Sequence, residues 1–184
     1  MKTPKRQIYS TLRTEQPNPR TAGLDRLDTA VVLARLDAEN RRVAGAVSAA
    51  RAALCRAVDC AAKAYSSGGK IIFIGAGTSG RLGVLEAAEC PPTFGVEPGR
   101  VMGLMAGGKQ AVFRSKEGAE DDSAAGRDEI SALVSRGDCV IGIAASGVTP
   151  YVAGALRAAS KRGCSTVFVT CNPKPPDFRP DALV

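Results

Sequence analysis

Gly75, Gly77 and Gly80, with Thr78 and Ser79 set between them, have the types and spacing to hold an anion. Small residues let the backbone approach a ligand, and the unpaired N–H groups at a helix start attract negative charge. The hydroxyls of Thr78 and Ser79 add hydrogen bonds to phosphate oxygens. A second stretch, Ser146-Gly147-Val148-Thr149-Pro150, has the same chemistry. Ser146 and Thr149 carry hydroxyls there, and Pro150 suits the first turn of a helix. The chemistry expected of both is the binding of a phosphate.

Two other phosphate motifs compete for the first stretch. Its glycines also fit G-x-G-x-x-G, but a dinucleotide fold wants an acidic residue about 20 residues on, at the end of the second strand. Here the second apolar run, Val101–Met105, ends in Ala106-Gly107-Gly108, and Glu97 stands before it, at the wrong end. A Walker loop is excluded because no Gly-Lys-Ser/Thr follows. A bare strand-to-helix turn needs a glycine or two but not adjacent hydroxyls.

The elements that must position these residues are legible from the pattern. Ile71-Ile72-Phe73-Ile74 lies between Gly68-Gly69 and Gly75, and reads as a buried parallel strand. From there strands are expected at 70–75, 101–105, 139–144 and 166–170. Helices are expected at 79–90, near 108–118, at 121–135 and at 149–161. This alternation predicts an α/β fold, a parallel sheet with helices on both faces, in which ligands bind beyond the carboxyl ends of the strands. Residues 172–180 contain four prolines and read as a loop, and 181–184 read as a strand just beginning.

Upstream, 1–27 is polar, carries Pro4, Pro17 and Pro19, and is expected to be an extended arm. Asp28-Thr29 offers an N-cap to a helical segment over 28–67. In it Leu36, Val43, Val47, Ala50, Leu54, Val58, Ala61 and Tyr65 recur at helical spacing. That stripe reads as core packing in one long or two abutting helices, with contact to a second subunit as the other possibility. The phosphate-binding domain is then expected over 68–184.

Bulk properties bound the class. At 184 residues, 45% hydrophobic and 23% charged, the chain suits one soluble domain with a core. No apolar run approaches about 20 residues, so no membrane span is expected. The basic start leads to no apolar stretch of a secretory signal. The net charge of +7 raises nucleic acid as a partner. The basic residues are interleaved with acids, however, and without tryptophan there is little aromatic surface for stacking, so small anionic ligands account for the charge. The six cysteines show no C-x-x-C spacing and there is no histidine, so no metal is expected, and a reduced, cytoplasmic setting fits.

The blocks GAGTSGRLGVLEAAECPPTFG (75–95), AGG with EGAEDD (106–108 and 117–122) and GIAASGVTPYV (142–152) resemble N-acetylmuramic acid 6-phosphate etherases. TEQPNPRTAGLDRLDT (14–29) and CNP (171–173) are similar to further family segments. These are sugar isomerase (SIS) domain proteins, and animal glucokinase regulatory protein is a non-catalytic relative. The resemblance implies cleavage of the D-lactyl ether of N-acetylmuramic acid 6-phosphate to N-acetylglucosamine 6-phosphate and D-lactate, without cofactor. It places the catalytic acid at Glu89 and the base at Glu120, and the sugar phosphate at Gly77, Thr78, Ser79, Gly80, Ser146, Gly147 and Thr149. One carboxylate must take the proton beside the open-chain aldehyde, and the other must protonate the departing lactate oxygen and then help water add. Glu86 and Glu117 are the neighbouring carboxylates, ranked below these two.

A continuous helix from Ser79 to Glu89 would separate them by about 15 Å, so Glu89 is expected to serve a partner subunit's cradle in a homodimer. Two departures from the family stand out. Val148 takes the place of a usual arginine, and the family is longer, so the last strand and C-terminal helices are expected to be missing from a truncated chain. The alternatives to an etherase are a SIS module that binds a sugar phosphate without turnover, and a sugar-phosphate isomerase.

Overall fold

The computed structural model describes residues 10–172 and 178–184. The residues before Ser10, and most of the proline-rich loop expected at 172–180, lie outside them. Pro173 of the CNP block is among the latter. The chain divides into two compact units, Met1–Ala52 and Ala53–Val184.

The described part of the first unit is not a plain extended arm. Short 3-10 turns at Arg13–Glu15, Pro19–Thr21 and Leu24–Arg26 precede helix α1, Thr29–Ala49. Glu39 holds the second of these turns: its carboxylate accepts from Arg20 Nε at 2.6 Å and from Asn18 Nδ2 at 2.9 Å. The Arg20 and Asn18 hydrogen bonds hold the Glu39 carboxyl down to about 2. Ala50 separates α1 from α2, Arg51–Ser66, so the expected helical segment is two abutting helices.

The second unit is built on a five-stranded, wholly parallel sheet in the order β2-β1-β3-β4-β5. Its strands are β1 Ile71–Gly75, β2 Val101–Met105, β3 Cys139–Ile143, β4 Ser165–Val169 and β5 Ala182–Leu183. The register is even, with Gly75 opposite Met105 on one side and Ile143 on the other. Parallel strands need crossovers, supplied by α3 (Gly77–Phe94), the short α4 (Gln110–Phe113), α5 (Ser123–Leu133) and α6 (Pro150–Lys161). The strand expected to begin at 181 is β5, tied to β4 because Asp181 Oδ2 accepts from Thr166 N at 2.7 Å and from its hydroxyl at 3.0 Å.

Alternate residues of the strands face opposite layers. Ile72, Ile74, Val140 and Phe168 join Ile130 of α5 and Val152, Ala155 and Leu156 of α6 in the larger core cluster. Cys139, Val167 and Ala182 face α2, packing with Ala57, Cys60, Ala61 and Ala64. Of the apolar stripe read through this helix, Ala61 is in that contact, Leu54 and Tyr65 are half-buried, and Val58 is outside it. Small residues at 57, 60, 61 and 64 let the helix lie close on the sheet, while Val58, like Leu36, Val43 and Val47, stays exposed.

Glycines set the other close approaches. A Cβ on Gly103 of β2 would sit 2.6 Å from Val84 Cα, and one on Gly83 of α3 2.7 Å from Phe73 Cβ. These two contacts let α3 rest directly on β1 and β2. α5 and α6 meet in the same way: a Cβ on Gly126 would overlap the Tyr151 carbonyl, and one on Gly154 the Ser123 carbonyl.

Two helical expectations change in extent. α3 does not stop at residue 90 but carries Pro91 and Pro92 in its last turn, before Gly95 closes it at φ 65° with its N–H on the Pro91 carbonyl. Pro91 and Pro92 withhold the donors that the Ala87 and Ala88 carbonyls would take, and the helix runs only two residues beyond them. The helix expected near 108–118 contracts to α4, since the backbone is left-handed at Gly107 and Gly108 and extended at Arg114.

Candidate functional site

β1 and β3 are neighbours, yet their crossovers lead away to opposite sides of the sheet order. This is the switch point at which a doubly wound sheet opens a crevice beyond its carboxyl ends. Both hydroxyl-bearing stretches are there. Gly77, Thr78, Ser79 and Gly80 follow β1 and form the first turn of α3. Ser146, Gly147 and Thr149 follow β3 and lead into α6. The pairing of Gly75 with Ile143 sets the two loops side by side.

The first loop is shaped by contact. A Cβ on Gly75 would lie 2.6 Å from Gly80 N, and one on Gly80 would lie 2.7 Å from Gly75 O, so this strand-to-helix turn admits only glycine at both positions. Ala76, at the N-cap, offers no side-chain acceptor to the first N–H groups of α3. Those donors stand beside Thr78, which is exposed, and Ser79, which is half-buried. The arrangement suits an anion, which would meet the donors, the helix dipole and the hydroxyls together.

The second loop is braced from β4. Asn172, buried, donates Nδ2 to the Ser146 carbonyl at 3.0 Å, and Thr170 donates its hydroxyl to the Ala145 carbonyl at 3.2 Å. The N–H of Cys171 reaches the same Ala145 carbonyl at 3.0 Å. Gly147 adopts φ 75° against Thr170 and Asn172, and Ser146 Oγ accepts from Val148 N at 3.4 Å. At the start of α6, Tyr151 is fully buried and donates its hydroxyl to Glu129 Oε2 at 2.6 Å, locking α6 to α5. Burial and that carboxylate push the Tyr151 phenol above its ordinary pKa. Thr170, Asn172 and Tyr151 were not singled out from sequence for the site. The CNP block was the available signal for Asn172, since it falls at the carboxyl end of a strand.

The two glutamates are placed differently. Glu120, half-buried, lies in the 3-10 turn Ala119–Asp121 between β2 and α5. That turn packs against α6, and Ala119 packs against the larger core cluster. Glu89 is exposed on α3, ten residues beyond Ser79 in one unbroken helix, a rise of about 15 Å. Within one chain, then, the structure brings the two loops together and leaves Glu89 apart from them. Arg81, unassigned from sequence, donates Nε to the Val112 carbonyl and Nη2 to the Ala111 carbonyl, both at 2.8 Å, fastening the α4 segment to the first turn of α3.

Among the described residues no three Cys, Asp or Glu side chains group as a metal site, and no helix is long and apolar enough to cross a membrane.

Comparison with known proteins gives this geometry a context. N-acetylmuramic acid 6-phosphate etherases of Salmonella agona and Salmonella typhi are each 54% identical to the chain over 170 residues, 92% of its length. The chain spans 57% of the length of these relatives. Among solved structures, phosphoheptose isomerase from Neisseria gonorrhoeae superposes with a TM-score of 0.57 at 19% identity, over 77% of this chain and 72% of that one, which shows the fold alone. The model of the glucokinase regulatory protein N-terminal SIS domain matches residues 53–160, from α2 to the end of α6. The chain belongs to that SIS-domain family.

Proposed function

We propose that the protein is a cytoplasmic etherase acting on N-acetylmuramic acid 6-phosphate, with the sugar phosphate seated across the two loops. The reading rests on the meeting of two hydroxyl-bearing loops at the ends of the paired strands β1 and β3, in a chain 54% identical to etherases. The phosphate takes the donors at the start of α3 with Thr78 and Ser79, and Ser146, Gly147 and Thr149 face it from the second loop. Glu120 removes the C2 proton of the open-chain sugar, and the C2–C3 double bond forms as the C3–O bond to lactate breaks. Glu89 donates a proton to the departing lactate oxygen. Water then adds across the double bond, its hydroxyl to C3 and a proton to C2, which returns the sugar phosphate without lactate.

Glu89 acts in the cradle of a second copy. One helical face of α3 carries Leu82 at 51% exposure, Leu85 at 54% and Glu89, at i, i+3 and i+7, and this supports a homodimer assembled over that face. Co-expressed Ser79→Ala and Glu89→Ala chains, each inactive alone, are expected to recover roughly a quarter of wild-type D-lactate release, because a random mixture puts both intact groups in one of the two sites of each heterodimer. Activity of the mixture no higher than that of either variant alone would sink the shared site.

A second reading, a SIS module that holds a sugar phosphate without turnover, is supported by Val148 and by the regulatory protein named in the family model. It predicts thermal stabilisation by the sugar phosphate with no lactate release.

A further inference from the structure

A groove of about 480 Å³ opens beyond β2, lined by Gly107, Gln110, Phe113, Arg114, Ser115 and Lys116 among others. It lies next to the cradle. Met105 at the end of β2 pairs with Gly75, and Ala106 N–H donates to the Gly75 carbonyl at 3.0 Å. The two Arg81 hydrogen bonds tie one wall of the groove to the first turn of α3. Lys116 lies over Gly107, where a Cβ would come within 3.0 Å of Lys116 Cδ, and Gly107 has φ 86°. Glu120 follows four residues later, in a turn entered by an Ala119 N–H to Lys116 carbonyl bond of 3.4 Å.

Arg114 and Lys116 are both exposed, and neither forms an ion pair among the described residues. Glu117, the carboxylate that follows Lys116, does not line the groove. Two unneutralised cations, a hydroxyl and an amide therefore stand together outside the phosphate cradle, and Glu120 lies four residues along the chain from Lys116.

We propose that this groove is the carboxylate subsite of the substrate, which rests on the etherase reading above. A sugar phosphate bearing a lactyl ether has two anionic ends, a phosphate at C6 and a carboxylate on the C3 substituent. The cradle accounts for the first only. A base that removes the C2 proton must stand next to the C3 leaving group, so the carboxylate of that group needs its cation near Glu120. Arg114 and Lys116 supply it, with Ser115 and Gln110 as further donors. The exposed Phe113 gives an apolar surface for the lactyl methyl group. The groove thereby selects lactyl ethers over sugar phosphates that end in a plain C3 hydroxyl.

The test compares two ligands by calorimetry. In a Glu120→Gln background, which stops turnover, N-acetylmuramic acid 6-phosphate is titrated into the protein with and without Arg114→Met and Lys116→Met together. N-acetylglucosamine 6-phosphate, which lacks the carboxylate, is titrated into the same proteins. The double substitution is expected to weaken the first ligand about tenfold or more and the second by less than about twofold, with Lys116→Arg largely retaining both affinities. Equal weakening of both ligands, or weakening of neither, overturns the subsite while leaving the etherase reading in place. If the unsubstituted protein neither binds N-acetylglucosamine 6-phosphate nor releases lactate, the etherase reading itself fails, and the subsite with it.

Discussion

Glu120→Gln is expected to lower D-lactate release by about 10²–10⁴-fold, the usual contribution of a positioned general base, while sugar-phosphate binding persists. The amide keeps the shape and half-buried position of the side chain in the turn Ala119–Asp121 and cannot take a proton. Binding is expected to persist because the proposed phosphate donors belong to other elements, the first turn of α3 and the loop before α6. Glu117→Gln, three residues away and exposed, serves as the control and is expected to stay within about threefold of wild type. Steady-state lactate assays paired with calorimetry on N-acetylglucosamine 6-phosphate separate the two quantities. Release by Glu120→Gln within about twofold of wild type would remove this residue from the mechanism.

The largest expected loss of stability comes from a residue far from the chemistry. Asp138, 2% exposed, sits just before β3 and accepts from Lys70 N and Ser135 N, both at 2.8 Å. Its Oδ2 is also 3.6 Å from the Lys70 ammonium, which donates to the Leu133 carbonyl at 2.6 Å. One carboxylate thus joins the start of β1, the exit of α5 and the entry to β3. Asp138→Ala leaves two part-buried N–H donors without acceptors and the ammonium without its counter-ion, a loss of about 3 kcal/mol. For a chain of this size that lowers Tm by roughly 6–12 °C. Asp138→Asn keeps one acceptor oxygen and is expected to fall between the two. A fall of less than about 2 °C in a thermal melt of Asp138→Ala would refute the joining role.

What could be read from the residues follows how local the signal is. The strands of the sheet are apolar runs between glycines, and their ends fall within a residue or so of expectation at 71–75, 101–105, 139–143 and 165–169. The positions of the two candidate loops were legible for the same reason, because a glycine turn with hydroxyls directly after a strand is a local pattern. The packing face of α2 was legible only at Ala61, since Ala57, Cys60 and Ala64 carry little apolar signal and matter through how closely they let the helix approach. Asp138 and Arg81 were invisible because what they join includes backbone groups 30 to 68 residues away in the chain, while Asn172 was marked only as part of the CNP block. The extent of α3 beyond residue 90 was not legible, because Pro91 and Pro92 ordinarily end a helix and this one runs two residues past them.

The six thiols, finally, form a graded set of reporters. Cys55 and Cys171 are exposed and would be alkylated at once, whereas Cys139 and Cys164 are buried between helices and sheet. Burial pushes the Cys139 thiol up to about 12 and the Cys164 thiol up to about 11, so near neutral pH neither offers thiolate while the sheet is closed. Their labelling rate is therefore a clock for opening of the β1-β3-β4 centre. A bound sugar phosphate that clamps the carboxyl end of that centre would slow the clock without touching either sulfur.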